Sequence, residues 1–293
     1  MEAVALSGRR AAWLVALRPR QWSKNLLLFA GLVFAAKLGD GARWLEAGAA
    51  FAAYCLASSA AYLVNDVHDA EHDRAHPVKS GRPIAAGAIS ERGALSLAAA
   101  LAAAALVLVA LLGPWSVLCL VGFLALQAAY SLGLKHAVLI DVMAIGGLFV
   151  IRAAAGAEAV HVRISPWLLV CTALLALFLG LAKRRAELVL VGAERTPGRP
   201  VLEGYSLELV DQLVSVVAAS TISAYALYTF TARDSKAMMA TIPFVLFGVF
   251  RYLYLIHRHD LGEEPENVLL TDAQTLVCVA AWAVTSAIIL LTT

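Results

Sequence analysis

Apolar runs of membrane length alternate with short polar breaks along the whole chain. A spanning helix needs about 17–25 mostly apolar residues. On that measure nine runs qualify, at about 20–37, 43–65, 90–112, 115–133, 138–157, 165–184, 207–231, 238–257 and 272–292. The first is the least clean, because Arg20 and Lys24 sit in its opening turns. Residues 9–17 are expected to form a short interfacial helix ahead of it. Gly113-Pro114, Ser165-Pro166 and the TPGRP turn at 196–200 punctuate the runs, as Gly and Pro do between helices. No short repeat is visible and no polar stretch is long enough for a soluble domain. The pattern predicts an all-α polytopic membrane protein, one domain over residues 1–293, with about nine transmembrane helices.

Composition agrees with the pattern. The 293 residues are 61% hydrophobic and 15% charged, with a mean hydropathy of +0.78. So few polar residues cannot cover a water-soluble domain of this size. A net charge of +2 is too small to suggest a nucleic-acid partner. Cys55, Cys119, Cys171 and Cys278 all lie in apolar runs without a CxxC pair, and they read as small buried hydrophobes. No signal-peptide pattern opens the chain: the first long run follows Arg18, Arg20 and Lys24. With nine spans, the face that holds the N-terminus carries about 16 Lys/Arg and the other about 5. The positive-inside rule puts that richer face in the cytoplasm, and the expected location is the inner (plasma) membrane, multi-pass.

The acidic residues gather on the same face. In NDVHDAEHD, Asp66, Asp69 and Asp73 are spaced i, i+3 and i+7, so a helix continuing through them carries all three carboxylates on one side. Hard oxygen ligands in a row suit Mg2+, which takes one or two carboxylates and fills its other positions with water and phosphate oxygens. Asn65 is placed to add an amide oxygen. Lys79 and Arg82 follow directly, where they would meet phosphate oxygens; Arg74 is an equally good salt-bridge partner for Asp73. His68, His72 and His76 recur every four residues, but the carboxylate-rich setting argues against zinc, and they read as interfacial. Tyr130, Lys135 and Asp141 fall at the junction of spans 4 and 5. Lys183, Arg184, Arg185, Glu187, Glu203 and Tyr205 fall at the end of span 6. Arg185 and Arg195 read as side chains that snorkel to headgroups. Arg152 and Arg251 lie inside apolar runs, where an arginine faces the bundle interior and has a partner, although Arg251 is near enough to its helix end to snorkel.

These motifs resemble the UbiA superfamily of intramembrane prenyltransferases, whose NDxxDxxxD signature the stretch NDVHDAEHD fits. Further stretches look like its decaprenyl-phosphate phosphoribosyltransferase branch: LRPRQWSKN (17–25), DRAHPVKSGRPIAAG (73–87), YSLGLKHAVLID (130–141), FVIRAAAGA (149–157), AKRRAEL (182–188) and FRYLYLIHR…GEEPENVLL (250–270). The resemblance implies a UbiA-like bundle with its active site on the cytoplasmic face. One departure is informative. Aromatic prenyltransferases of the superfamily typically carry a second acidic motif, DxxxD, after span 6, where this chain reads AKRRAELVLVGAE. Cations in that place suit a donor with an additional phosphate.

The resemblance therefore implies Mg-dependent transfer of 5-phosphoribose from phosphoribosyl pyrophosphate (PRPP) to a polyprenyl phosphate, with release of diphosphate, in the supply of lipid-linked pentose for arabinan of a bacterial cell wall. Asp66, Asp69 and Asp73 are the expected metal ligands, and with Lys79 and Arg82 the catalytic set. Lys24, Asn65, Tyr130, Lys135, Asp141, Arg152, Lys183, Arg184, Glu203, Tyr205 and Arg251 are the expected substrate-binding residues. A homo-oligomer is left open. An aromatic prenyltransferase of the same superfamily is the alternative, with the missing DxxxD against it. A cation-coupled transporter is the alternative of another class, against which stands the position of the acids at one face rather than at the bilayer midplane.

Overall fold

The computed structural model describes residues 11–34, 37, 39–75, 79–192, 200–231, 235–258 and 271–292, and no strand occurs among them. The chain divides into two compact units: Met1–Ser131 with Ile151–Arg163, and Leu132–Val150 with Ile164–Thr293.

The first unit begins with α1 (residues 11–17), then a 3-10 helix at Pro19–Phe29 that continues into α2 (Ala30–Phe34). Next come α3 (Gly41–His68), α4 (Ala70–Ala75), α5 (Glu91–Ala110) and α6 (Pro114–Leu132). The start of α3 is capped by Asp40, whose side chain accepts from the backbone N–H of Ala42 and Arg43. Ser90 caps α5 in the same way through Gly93. Most buried residues between α3 and α5 are small, among them Ala60, Ala94 and Ala98, around Leu63. In lipid, small residues let helices approach closely, and packing rather than water exclusion holds them together.

α7 (Ile140–Ala159) gives its first half to the second unit and its second half to the first. The second unit continues with α8 (Pro166–Gly192), a 3-10 turn at Pro200–Gly204, α9 (Leu207–Thr231), α10 (Ile242–Arg258) and α11 (Ala273–Thr292). Its core is built from Phe178 and Leu181 of α8, Val210 and Val214 of α9, and Val249 and Tyr252 of α10.

Eight helices among the described residues are long and apolar enough to cross a membrane, and they correspond to the second through ninth expected spans. The first run takes another form. Arg18 has a left-handed backbone (φ 51), Pro19 follows at the first helical position, and the next 11 residues wind as a 3-10 helix. That segment nevertheless runs the length of α3. Arg18 meets Asp66 near the α3 C-terminus, Trp22 donates to Ser59, Asn25 lies against Cys55 and Ser58, and Phe29 packs on Phe51 and Trp44. A 3-10 helix rises about 2 Å per residue against about 1.5 Å for an α-helix. The short run Pro19–Phe34 thus covers about 30 Å, the thickness of the hydrocarbon core. Among the described residues, then, eight expected spans are α-helical and the first is long enough to cross only in 3-10 geometry. The four cysteines are free thiols; Cys55 and Cys278 are buried as expected, while Cys119 and Cys171 are only half-buried.

Candidate active site

In the first unit the acidic signature sits where α3 ends. α3 stops at His68, Asp69 caps it (φ -90, ψ 2), and α4 restarts at Ala70. The break is slight, since Asp69 N–H still bonds Asn65 C=O at 2.9 Å and Asp73 N–H bonds Asp69 C=O at 2.9 Å. Asp66 and Asp73 consequently keep to one face and are buried, 2% and 4% exposed. Arg82 joins them: its Nη1 lies 2.6 Å from Asp73 Oδ2 and 3.3 Å from Asp66 Oδ1. Arg18 donates to the same Asp66 oxygen at 2.5 Å, with its guanidinium 4.8 Å from the centre of the Tyr62 ring. Two half-exposed arginines thus neutralise two buried carboxylates, which a bilayer-embedded helix end demands.

Asp69 is half-buried and accepts from the Asn65 amide at 3.1 Å. Lys79 opens the 3-10 turn Lys79–Gly81 one turn before Arg82 and is half-buried. Arg74 turns away from Asp73, to Glu91 at 3.2 Å and the Ala85 carbonyl at 3.4 Å. His68, Glu71 and His72 are exposed, as interfacial residues should be; His76 lies outside the described residues.

Deeper in the same unit, Arg152 of α7 is 6% exposed. Its Nε donates to Asn25 Oδ1 at 2.9 Å, and its guanidinium stacks 4.7 Å from the Phe123 ring centre. The intramembrane arginine therefore has the inward partner its position requires. Two glycines make the contact feasible. A Cβ on Gly156 would fall 2.2 Å from the Leu28 carbonyl oxygen, and one on Gly31 would fall 2.6 Å from Ala157 Cα. Lys24 donates to Gln21 on its own segment at 2.5 Å, and Tyr130 is half-buried in the last turn of α6.

The second unit assembles a buried chain. Asp141, in the first turn of α7, is fully buried and accepts from Arg184 Nε at 2.7 Å and from the Tyr205 hydroxyl at 2.7 Å. Arg184 is 1% exposed and also binds Glu187. The Tyr205 oxygen accepts the Leu139 backbone N–H at 2.7 Å. Burial pushes the Tyr205 hydroxyl up to about 12, with its bond to Asp141 adding to the rise. Lys135 and Lys183 are half-buried, and Glu203 is exposed.

Two arginines of this unit tie helices together, Arg251 with a partner as its position led one to expect and Arg185 against expectation. Arg185 does not snorkel: it is 8% exposed and ties Asp211 of α9 (2.7 Å) and the Ile256 carbonyl of α10 (2.8 Å) to α8. Arg251 forms a two-point pair with Asp272, at 3.1 and 2.8 Å, and Asp272 in turn caps α11 through Thr275. These bonds, Arg251 first, hold the Asp272 carboxyl well below the usual carboxylate range. Arg195 and the stretch 262–270 lie outside the described residues.

Sequence reasoning missed Arg18 and Asn25 as members of the polar interior. The available signals were a cation directly before Pro19, whose ring bars the preceding residue from helical backbone, and an amide inside an apolar run.

The sequence profile of the UbiA prenyltransferase family matches residues 26–273. The chain is similar to the decaprenyl-phosphate phosphoribosyltransferase of Mycobacterium tuberculosis, 37% identical over 282 residues, covering 92% of this chain and 91% of that protein. The protein of the same name from Corynebacterium glutamicum is 34% identical over 282 residues, covering 91% of this chain and 83% of its own length. Among solved structures, a UbiA homolog from Archaeoglobus fulgidus bound to GPP and Mg2+ shares the fold. Its TM-score is 0.74 at 18% identity, over 96% of this chain and 100% of that one.

Proposed function

This chain belongs to the UbiA prenyltransferase family, and from that premise we propose that it transfers 5-phosphoribose from PRPP to a polyprenyl phosphate of the decaprenyl type, releasing diphosphate. It is a multi-pass membrane protein, and its relatives at 34–37% identity favour this transfer over an aromatic prenyltransferase or a transporter. The observation that carries the proposal is the pair of buried carboxylates, Asp66 and Asp73, converging on one guanidinium nitrogen. The pair is already a seat for positive charge.

Its donor set fits Mg2+: hard oxygens from Asp66, Asp69 and Asp73, with the Asn65 amide beside them. A structural neighbour described with Mg2+ supports the same choice. Among the described residues no three acidic or soft ligands converge as a preformed cage, because Arg82 sits between Asp66 and Asp73 and Asp69 is turned to Asn65. When bound, the ion supplies electrostatic stabilisation of the departing diphosphate.

The remaining roles fall to the chain itself. Arg82 and Lys79, one turn apart after α4, are assigned to diphosphate oxygens; in the second unit, taken by itself, Lys135 and Lys183 are assigned to phosphate binding. Charge leaves C1 of the ribose as the C1–oxygen bond to diphosphate breaks, and a phosphate oxygen of the lipid forms the new bond to C1. A phosphate monoester is largely dianionic near neutral pH, with a second pKa of about 6. The nucleophile therefore needs orientation more than deprotonation, and no general base is assigned. The site is proposed to open to the cytoplasm, the face favoured by the Lys/Arg bias.

Membranes containing the chain, given labelled PRPP and polyprenyl phosphate, are expected to form a labelled lipid that disappears with EDTA and returns with Mg2+. Label that stays out of the lipid phase under all conditions would overturn the proposal.

A further inference from the structure

The turn before α7 holds an unusual backbone shape. Leu139 has φ +68, a left-handed conformation that a β-carbon disfavours and that glycine normally takes. Burial does not enforce it, since Val138, Leu139 and Ile140 are 37%, 44% and 46% exposed. What reaches the turn is Tyr205. Its hydroxyl oxygen accepts the Leu139 N–H at 2.7 Å, while Gly204 comes so near that a Cβ there would lie 2.4 Å from Val138 Cγ2.

The direction of each bond is fixed by chemistry. The Asp141 carboxylate can only accept, so the Tyr205 O–H must donate to it, which leaves the phenol lone pairs for Leu139. Arg184, buried and donating to the other oxygen of Asp141, holds that carboxylate in place. A hydroxyl pushed up to about 12 stays protonated at any ordinary assay pH. Asp141 and Arg184 are nearly inaccessible and already bonded to each other, so neither is presented to a substrate.

We propose that Arg184, Asp141 and Tyr205 are positioning residues, a buried chain that clamps the left-handed turn at Leu139 and thereby sets the Leu134–His136 turn that carries Lys135. The claim for Lys135 rests on the transfer activity proposed above; the claim for the clamp does not.

Two measurements on the full chain separate them. In detergent, Tyr205→Phe should speed amide hydrogen exchange at Leu139 by about tenfold, the loss of one part-buried hydrogen bond, with α8 and α9 unchanged. Exchange equal to wild type would overturn the clamp. In the transfer assay, Tyr205→Phe should raise KM for PRPP about tenfold and change kcat less than about threefold. In a Lys135→Ala background the same substitution should add nothing, and Leu139→Gly, which removes the backbone penalty, should recover part of the loss. Effects of Tyr205→Phe and Lys135→Ala that multiply would show that Tyr205 does not act through Lys135. A wild-type chain with no transfer would sink the activity reading while the exchange measurement still decides the clamp.

Discussion

Asp66 takes a hydrogen bond from each of two arginines, and Asp73 takes one from the second of them, so the two aspartates differ in what their removal exposes. Asp69, bonded to the Asn65 amide, is the cleaner probe of chemistry. Asp69→Asn is expected to lower transfer on the order of 100-fold with an unchanged melting temperature. Exposed Glu71→Gln should leave the rate alone, and a rate assay across both variants checks the contrast. Arg184→Met strands the buried Asp141 carboxylate and should cost about 3–5 kcal/mol of stability, measured by denaturation in detergent. The Arg251–Asp272 pair has a pH signature. The depressed Asp272 carboxyl stabilises the fold fully above the unfolded value of about 3.9, and that contribution is lost as pH falls toward its folded value. Arg251→Met should therefore lower the melting temperature at neutral pH, and its gap to wild type should narrow in acid. At this scale the convergence of Asp66 and Asp73 was legible from spacing, whereas Asp69, expected on the same face, turns to Asn65. The partners of the pair were not: Arg74 looked right for Asp73, yet Arg82 takes that place and Arg74 pairs with Glu91. Adjacent residues on a helix point in different directions, so being next in sequence did not make Arg74 the partner of Asp73.

The segment Pro19–Phe34 shows what hydropathy can and cannot read at the scale of an element. The expected span over 20–37 exists as a crossing, but a run of apolar residues does not distinguish a 3-10 from an α winding. In a 3-10 helix residues three apart share a line, and Trp22, Asn25 and Leu28 form the line that meets α3 or α7. Glycines decide how closely that line can lie. Gly156→Ala should cost about 1–3 kcal/mol or more, since the clash is with a backbone oxygen that cannot rotate away. Gly48→Ala, inside α3 with open space around it, should instead stabilise by about 0.5–1 kcal/mol. Thermal unfolding of the two variants side by side tests the assignment of close and open glycines.

For the molecule as a whole, composition and the nine apolar runs fixed the class before any coordinate was known, because the bilayer leaves so few ways to satisfy a backbone. The division into two compact units was not legible, since it falls inside α7, an unbroken helix. Topology offers a test at this scale. If the 3-10 segment crosses, the two termini lie on opposite faces; with only the eight long helices crossing, they would share one. A C-terminal alkaline phosphatase fusion should be active and a green fluorescent protein fusion dark, given a cytoplasmic N-terminus. The pairing of Asp66 and Asp73 with Arg18 and Arg82 also bears on biogenesis. In the folded chain Asp66 and Asp73 already have counter-ions from the chain itself, so holding them in place does not require a divalent ion. On the proposed Mg dependence, cells starved of magnesium should accumulate this protein inserted and folded but inactive, with transfer returning when the ion is supplied.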